Sequence, residues 1–311
     1  MLSDIRSVHF VGICGTAMAS AAAAMQERGF RVTGSDANVY PPMSTFLAER
    51  KVEVISGYDE KNLAAKPDLV VIGNAMSRGN AEVEAVLDRK LRYCSLPELL
   101  KEFFIRGKRS LVVSGTHGKT TTTSLLTWVF ECAGLNPSYL IGGIPTNLGQ
   151  GARFTDSEWF IIEGDEYDTA FFDKRSKFVH YLPELAIVNN LELDHADIFA
   201  DVAAVQKSFS HLIRLIPRNG LLLGNGDDPN LAPLLNVTHC PVKRFGLGQS
   251  NAVRATNLQL GATASAFEIP SCRFQVNLVG ELNVRNALAV VGAAKHCGIS
   301  NKQIRSEEHT S

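Results

Sequence analysis

The run Gly115-Thr116-His117-Gly118-Lys119-Thr120-Thr121 contains the residue types that hold a polyphosphate. Glycines leave the backbone N–H groups of a tight loop uncovered, and at a helix N-terminus those groups and the helix dipole both favour an anion. Lys119 adds a mobile positive charge for the outer phosphates, and the Thr120 hydroxyl is placed to ligate Mg²⁺. The run departs from the general GxxxxGK[ST] pattern, because Val113 stands where the first glycine falls. A glycine turn without a ligand is the competing reading. The order of β-rich run, glycine loop, Lys-Thr and amphipathic helix favours the phosphate loop.

Metal chemistry beside a phosphate needs acids, and Glu163-Gly164-Asp165-Glu166-Tyr167-Asp168 follows an apolar run that ends at Ile162. The carboxyl ends of parallel strands form one ligand-binding edge, so Glu163 is expected on the rim of the phosphate loop; a solvated acidic loop is the alternative. Asn189-Asn190-Leu191-Glu192-Leu193-Asp194-His195 follows another apolar run, and His195 suits a metal ion or a substrate as well as a purely structural turn. Asn283 and Asn286, three residues apart at the start of a helix, carry amides suited to a nucleobase edge and equally to capping. Near the N-terminus, Gly12-x-x-Gly15 with Asp36 about twenty residues on is a partial dinucleotide fingerprint, with Ala17 and Ala19 where a third glycine is expected. A diphosphate on that helix N-terminus and simple helix packing are both consistent with it.

These groups need elements to hold them. A strand is expected over Ser7–Val11, then a glycine turn and an alanine-rich helix to Arg28, a strand over Phe30–Gly34, a helix near Met43–Arg50 and a strand over Leu69–Gly73. The basic patch 106–109 separates this unit from a fresh strand at Ser110–Ser114, a helix over Thr121–Ala133, strands at Glu158–Ile162 and Leu185–Asn189, a helix at Val202–Leu215 and a strand at Gly220–Leu223. Between Val237 and Val279 the helical period gives way to short β-like segments, and a helix follows at Val284–Cys297. Strands alternating with helices imply parallel sheets, hence an α/β fold: a Rossmann-like domain over 1–107, then a phosphate-loop α/β domain over 108–304 with a small β subregion.

At 311 residues the chain has room for two cores. With 45% apolar residues and a net charge of −1 it has no electrostatic pull toward nucleic acid or an anionic membrane. No run approaches a bilayer span and no secretory signal opens the chain, so a cytoplasmic protein is expected. The six cysteines lack metal-site or disulfide spacing.

Together, GTHGKTT at 115–121, EGDEYD at 163–168, NNLELDHAD at 189–197 and GELNVRNALA at 280–289 resemble the Mur ligases in order and spacing, over essentially residues 5 to 304. The resemblance implies an ATP- and Mg²⁺-dependent ligase that activates the carboxylate of UDP-N-acetylmuramate as an acyl phosphate for attack by an amine. Within the family, the stretch at 164–184 and GNAMSRGN at 73–80 are similar to the members that attach a preformed murein peptide in peptidoglycan recycling; those that add L-alanine are the alternative. By matching motif, it implies that Gly12, Gly15, Thr16, Asp36, Asn74, Ser77, Arg78 and Asn80 serve the UDP-sugar. Gly115, Thr116, His117, Gly118, Lys119, Thr120 and Thr121 would serve the ATP phosphates, and Asn283 and Asn286 the adenine. Thr120, Glu163 and His195 would hold metal, with Lys119, Glu163 and His195 as the catalytic set. Leu282 stands where the family commonly has histidine, and Lys207 lies where some members carry a carbamylated lysine. The family's third, amine-binding domain is expected to be missing, with 305–311 a non-native tail, so that the chain binds nucleotides but ligates poorly. A nicotinamide-dependent dehydrogenase leaves Lys119, Thr120 and the acidic rim unexplained; a nucleotide-dependent switch would ignore UDP-sugar.

Overall fold

All five residues of β1 (Ser7–Val11) are buried, the signature of a strand covered on both faces. The computed structural model describes residues 4–194, 199–270 and 272–305. From β1 the chain runs through α1 (Thr16–Glu27), β2 (Arg31–Asp36), α2 (Met43–Glu49), β3 (Glu53–Ser56), β4 (Leu69–Ile72), α3 (Ala81–Asp88), β5 (Tyr93–Ser95) and α4 (Leu96–Leu100). The five strands form a parallel sheet in the order β3-β2-β1-β4-β5. The order reverses at β1, and the crevice at its carboxyl end is where such sheets bind ligands. The turn after β1 lies against β2 because residue 34 is glycine: a Cβ there would fall 2.5 Å from Ile13 Cδ1 and 2.7 Å from the Phe10 carbonyl oxygen.

A second unit starts at β6 (Arg109–Ser114) and continues with α5 (Lys119–Cys132), β7 (Ser138–Leu140), β8 (Ala152–Arg153) and β9 (Trp159–Gly164). A hairpin follows, β10 (Asp168–Ala170) and β11 (Asp173–Ser176), then β12 (Pro183–Val188), α6 (Val202–Ile213), β13 (Leu221–Asn225), β14 (Val242–Gly246), β15 (Val253–Arg254), β16 (Thr256–Leu260), β17 (Ser265–Ile269) and β18 (Cys272–Val276). The helices α7 (Glu281–His296) and α8 (Asn301–Ile304) end the described chain. Its eight-stranded sheet has the order β15-β14-β13-β12-β6-β9-β7-β8, parallel except for β7 with β8. β6 lies between β12 and β9, so this sheet also switches direction at its first strand. β16, β17 and β18 form the antiparallel β subregion. On one face of the sheet a hydrophobic core that includes Leu111, Val113, Phe130, Trp159, Phe267 and Leu288 joins the sheet, α5, the β subregion and α7.

The expected α/β class, with a parallel N-terminal sheet and a small β subregion, is the observed one. A single cut at residue 107 is not how the contacts divide. Residues 105–107 fall with the second unit and the hairpin Asp168–Ser176 with the first, where Phe172 packs edge-on against Tyr93 at 4.9 Å. Helix α5 starts two residues before its expected start, at Lys119, because Gly118 at φ +79° forms the cap. Helix α7 starts at Glu281, three residues early, behind Gly280 at φ +90°. Among the described residues no helix is long and apolar enough to cross a membrane.

Candidate active site

The phosphate loop joins the carboxyl end of β6 to α5, at the strand switch. Its shape is fixed from beneath by the loop after β12. The Asn190 side chain accepts the His117 N–H at 2.7 Å and donates to the His117 carbonyl at 3.2 Å, while Thr116 N–H donates to Asn190 O at 3.1 Å. Glu192 N–H donates to Thr116 Oγ1 at 2.9 Å. That second loop is itself held by Asp228, which accepts the Leu191 N–H at 2.6 Å, and by Asn230 Nδ2, which donates to Leu191 O at 2.7 Å.

Both glycines of the loop are required by what surrounds them. A Cβ on Gly115 (φ +138°) would sit 3.0 Å from Asn189 Cβ and N; one on Gly118 would sit 2.6 Å from Asn286 Oδ1. Asn286, 1% exposed, therefore lies against the phosphate loop, and its Oδ1 has no hydrogen-bond partner. Its Nδ2 donates to Asn283 Oδ1 at 3.2 Å, and Asn283 Nδ2 donates to the Val279 carbonyl at 2.9 Å. Spacing alone gave these two amides a nucleobase or a cap. Neither side chain caps α7, and Asn286 faces Gly118.

The Lys119 ammonium donates to the Gly115 carbonyl at 2.8 Å and to the Glu166 carboxylate at 2.9 and 3.1 Å. Burial pushes the Glu166 carboxyl above its ordinary value, outweighing the opposite pull of Lys119. Thr120 Oγ1 donates to the Glu163 carboxylate at 2.9 Å, and the Gly142 N–H, after β7, donates to Glu163 Oε2 at 2.7 Å. A Cβ on Gly142 would lie 3.0 and 3.1 Å from the two carboxylate oxygens. Lys119, Thr120 and Glu163 are thus brought together. His117 is exposed, its Nε2 3.5 Å from Glu192 Oε2. Thr121 is half-buried on α5. His195 lies outside the described residues, and among the described residues no cluster of three His, Cys, Asp or Glu forms. Lys207 is exposed on α6.

In the first unit, Gly12, Gly15, Asp36 and Asn74 line one cleft of about 400 Å³ with Tyr40 and Tyr58, at the strand switch beside β1. Thr16 opens α1 immediately after Gly15. Asp36 accepts the Cys14 N–H and the Asn38 N–H, each at 2.9 Å, so it shapes the glycine turn as well as facing the cleft. Asn80 caps α3 through the Glu82 and Val83 N–H groups at 3.0 and 3.2 Å. Arg78 forms a two-point pair with Glu84 at 2.9 Å, and Ser77 accepts the Asn80 N–H through its carbonyl.

Sequence reasoning singled out neither Asn190, Asn189 nor Gly142. Asn189 and Asn190 carried a signal, two adjacent amides just past a buried strand; nothing local marks Gly142.

Two strand-switch crevices, one carrying a glycine-lysine loop, agree with what comparison with known proteins finds. Residues 113–294 match the Mur ligase middle domain and residues 7–108 the Mur ligase family, catalytic domain, and the chain belongs to the Mur ligase family. The UDP-N-acetylmuramate–L-alanyl-gamma-D-glutamyl-meso-2,6-diaminoheptandioate ligase of Haemophilus influenzae is 48% identical over 304 residues, 95% of this chain and 66% of that protein. The chain thus spans about two thirds of that relative's length. The crystal structure of the UDP-N-acetylmuramate:L-alanyl-gamma-D-glutamyl-meso-diaminopimelate ligase from Neisseria meningitides matches with a TM-score of 0.90 at 43% identity, over 99% of this chain and 98% of that one. A UDP-N-acetylmuramate–L-alanine ligase of a Psychrobacter species is 34% identical, over 97% of this chain and 62% of its own length.

Proposed function

We propose that the chain carries the two nucleotide sites of an ATP- and Mg²⁺-dependent carbon–nitrogen ligase of peptidoglycan recycling. The ligase joins the murein peptide L-Ala-γ-D-Glu-meso-diaminopimelate to UDP-N-acetylmuramate. The observation that carries this reading is the convergence of Lys119, Thr120 and Glu163 on the phosphate loop at the switch strand of the second sheet. The higher identity to the peptide-adding relative than to the alanine-adding one favours a peptide as the amine.

The residues fit the groups the family implies. Gly115 and Gly118 let the loop pack against Asn189 and Asn286, where a Cβ would clash, and its backbone N–H groups at the start of α5 and the Lys119 ammonium are donors that suit ATP phosphates. Thr120 Oγ1 and the Glu163 carboxylate are hard oxygen donors, 2.9 Å apart, of the kind Mg²⁺ takes. Bound there, Mg²⁺ supplies charge neutralisation for the phosphates. Lys119 would orient the outer phosphates, Gly142 would hold Glu163 toward the loop, and the first-unit cleft would take UDP-N-acetylmuramate through Gly12, Gly15, Thr16, Asp36 and Asn74. His195 is proposed as a further metal ligand on its motif alone, and a cytoplasmic location follows from the substrates.

Calorimetric titration with Mg-ATP tests the reading. Binding of one ATP per chain, weakened about 100-fold in a Lys119→Ala chain that circular dichroism shows to be folded, is expected for a lysine whose charge-assisted bonds go to phosphate. Equal affinity in both proteins would remove the phosphate loop from the account.

A further inference from the structure

Lys119 is tied to Glu166, a residue that no part of the proposed reaction uses. The ammonium sits between both Glu166 carboxylate oxygens, at 2.9 and 3.1 Å, and the carbonyls of Gly115 at 2.8 Å and Thr116 at 3.3 Å. The Glu166 side chain is 3% exposed and the Lys119 side chain 14%, so the pair lies largely out of water, where such contacts are strongest. The carboxylate is also anchored. Just before it, Ser114 Oγ donates to the Gly164 carbonyl at 2.7 Å, tying the end of β9 to β6. Beside it, Asp165 is held by Lys177 at 2.6 Å. Two adjacent carboxylates thus take two different lysines, and the Asp165–Lys177 pair helps keep the segment in place beside Lys119.

An anion that draws the Lys119 ammonium must compete with Glu166. We propose that Glu166 is a positioning residue for Lys119: it holds the ammonium at the base of the phosphate loop and sets how tightly the loop binds a polyphosphate. The inference rests on the reading of Lys119 as a phosphate ligand. A phosphate takes over the ammonium only by displacing a buried carboxylate, so binding is weaker than the loop alone would give. In return the ammonium is held against the Gly115 and Thr116 carbonyls of the loop.

The test is Glu166→Gln, which keeps the shape of the side chain and removes its charge. Calorimetric titration with ATP is run in EDTA and again with excess Mg²⁺, on the wild-type chain, Glu166→Gln, Lys119→Ala and the double variant. The proposal predicts that Glu166→Gln binds ATP about tenfold more tightly with and without Mg²⁺, equivalent to about 1.4 kcal/mol. It also predicts that the gain disappears in the Lys119→Ala background. Damage to the fold weakens binding and cannot tighten it, so a gain separates positioning from support. Unchanged or weaker binding by a folded Glu166→Gln overturns the proposal, and weakening confined to the Mg²⁺ arm gives Glu166 to the metal instead. If Glu166→Gln does not fold, Glu166→Asp replaces it: a carboxylate withdrawn by one methylene gives a smaller gain under the proposal, and no gain refutes it. Failure of the underlying reading looks different, since the wild-type and Lys119→Ala chains would then bind ATP equally.

Discussion

Replacing Gly118 by alanine tests how the phosphate loop is held. At φ +79° an L-residue is strained by about 1–2 kcal/mol. The new methyl would also lie 2.6 Å from Asn286 Oδ1, 3.1 Å from Nδ2 and 3.2 Å from Cγ, against a side chain that is 1% exposed. Overpacking of this kind adds about 1–3 kcal/mol. Alanine restricts the unfolded chain more than glycine and returns about 0.4–1 kcal/mol, which leaves a net loss of about 3 kcal/mol. Truncating Asn286 removes the clash and leaves the backbone strain. Gly118→Ala is therefore expected to cost about 3 kcal/mol in the wild-type background and about 1 kcal/mol in Asn286→Ala, a coupling typical of residues in contact. Both tryptophans, Trp128 and Trp159, belong to the second unit, so urea unfolding followed by their fluorescence reads the unit that carries the loop. Equal costs in the two backgrounds would show that the Asn286 amide does not press on Gly118, and the account of why glycine is needed there would fall.

Other outcomes follow from the same contacts. Asn190→Ala removes both side-chain bonds to the His117 backbone and should destabilise the second unit by about 1–3 kcal/mol and weaken ATP binding about tenfold; undiminished affinity would separate loop shape from binding. Asp228→Ala strips the acceptor from the Leu191, Asn230 and Leu231 N–H groups and should cost about 2–4 kcal/mol by the same fluorescence assay. In the first unit, burial pushes the Glu82 carboxyl up, but hydrogen bonds from His9, Ser35 and Asn62 outweigh it and hold the group below its ordinary value of 4.5. The folded unit then favours the carboxylate. The stability this contributes is complete above pH 4.5 and is lost as the pH falls through the lowered value. The protection of β1 amides from hydrogen exchange, measured against the intrinsic rate at each pH, should fall along that acid limb, and Glu82→Gln should flatten it; a limb unaltered by the substitution would assign the acid sensitivity elsewhere.

Much of this architecture is legible in the sequence, because the signals are local. Buried parallel strands such as Ser110–Ser114 are continuous apolar runs, and the glycine loop with Lys119 and Thr120 needs only neighbours in the chain. What escaped is short or distant. β3, β5, β7 and β8 have two to four residues each, too few for a periodic pattern. The β10–β11 hairpin, with Asp168, Asp173, Lys174 and Arg175, carries no apolar alternation, and its grouping with the first unit depends on aromatic contacts of Phe172 that no spacing discloses. The site divides in the same way. Lys119, Thr120 and Glu163 are marked by their own motifs, whereas Asn190 grips a loop 73 residues away and Asn286 backs a glycine 168 positions earlier in numbering, relations that exist only in the fold. Asn80 reads as part of a substrate loop, yet its side chain is spent on capping α3.

The proposal that these two crevices belong to a muramate ligase is tested most directly by titrating the purified chain with UDP-N-acetylmuramate in a calorimeter, with UDP-N-acetylglucosamine and NAD as controls. Saturable, one-to-one binding of the muramate is expected, with at least about tenfold weaker binding of both controls, since a ligand carboxylate engaged by charge-assisted hydrogen bonds contributes that much or more. A folded chain that binds Mg-ATP but ignores the muramate, or that binds NAD stoichiometrically, would contradict it.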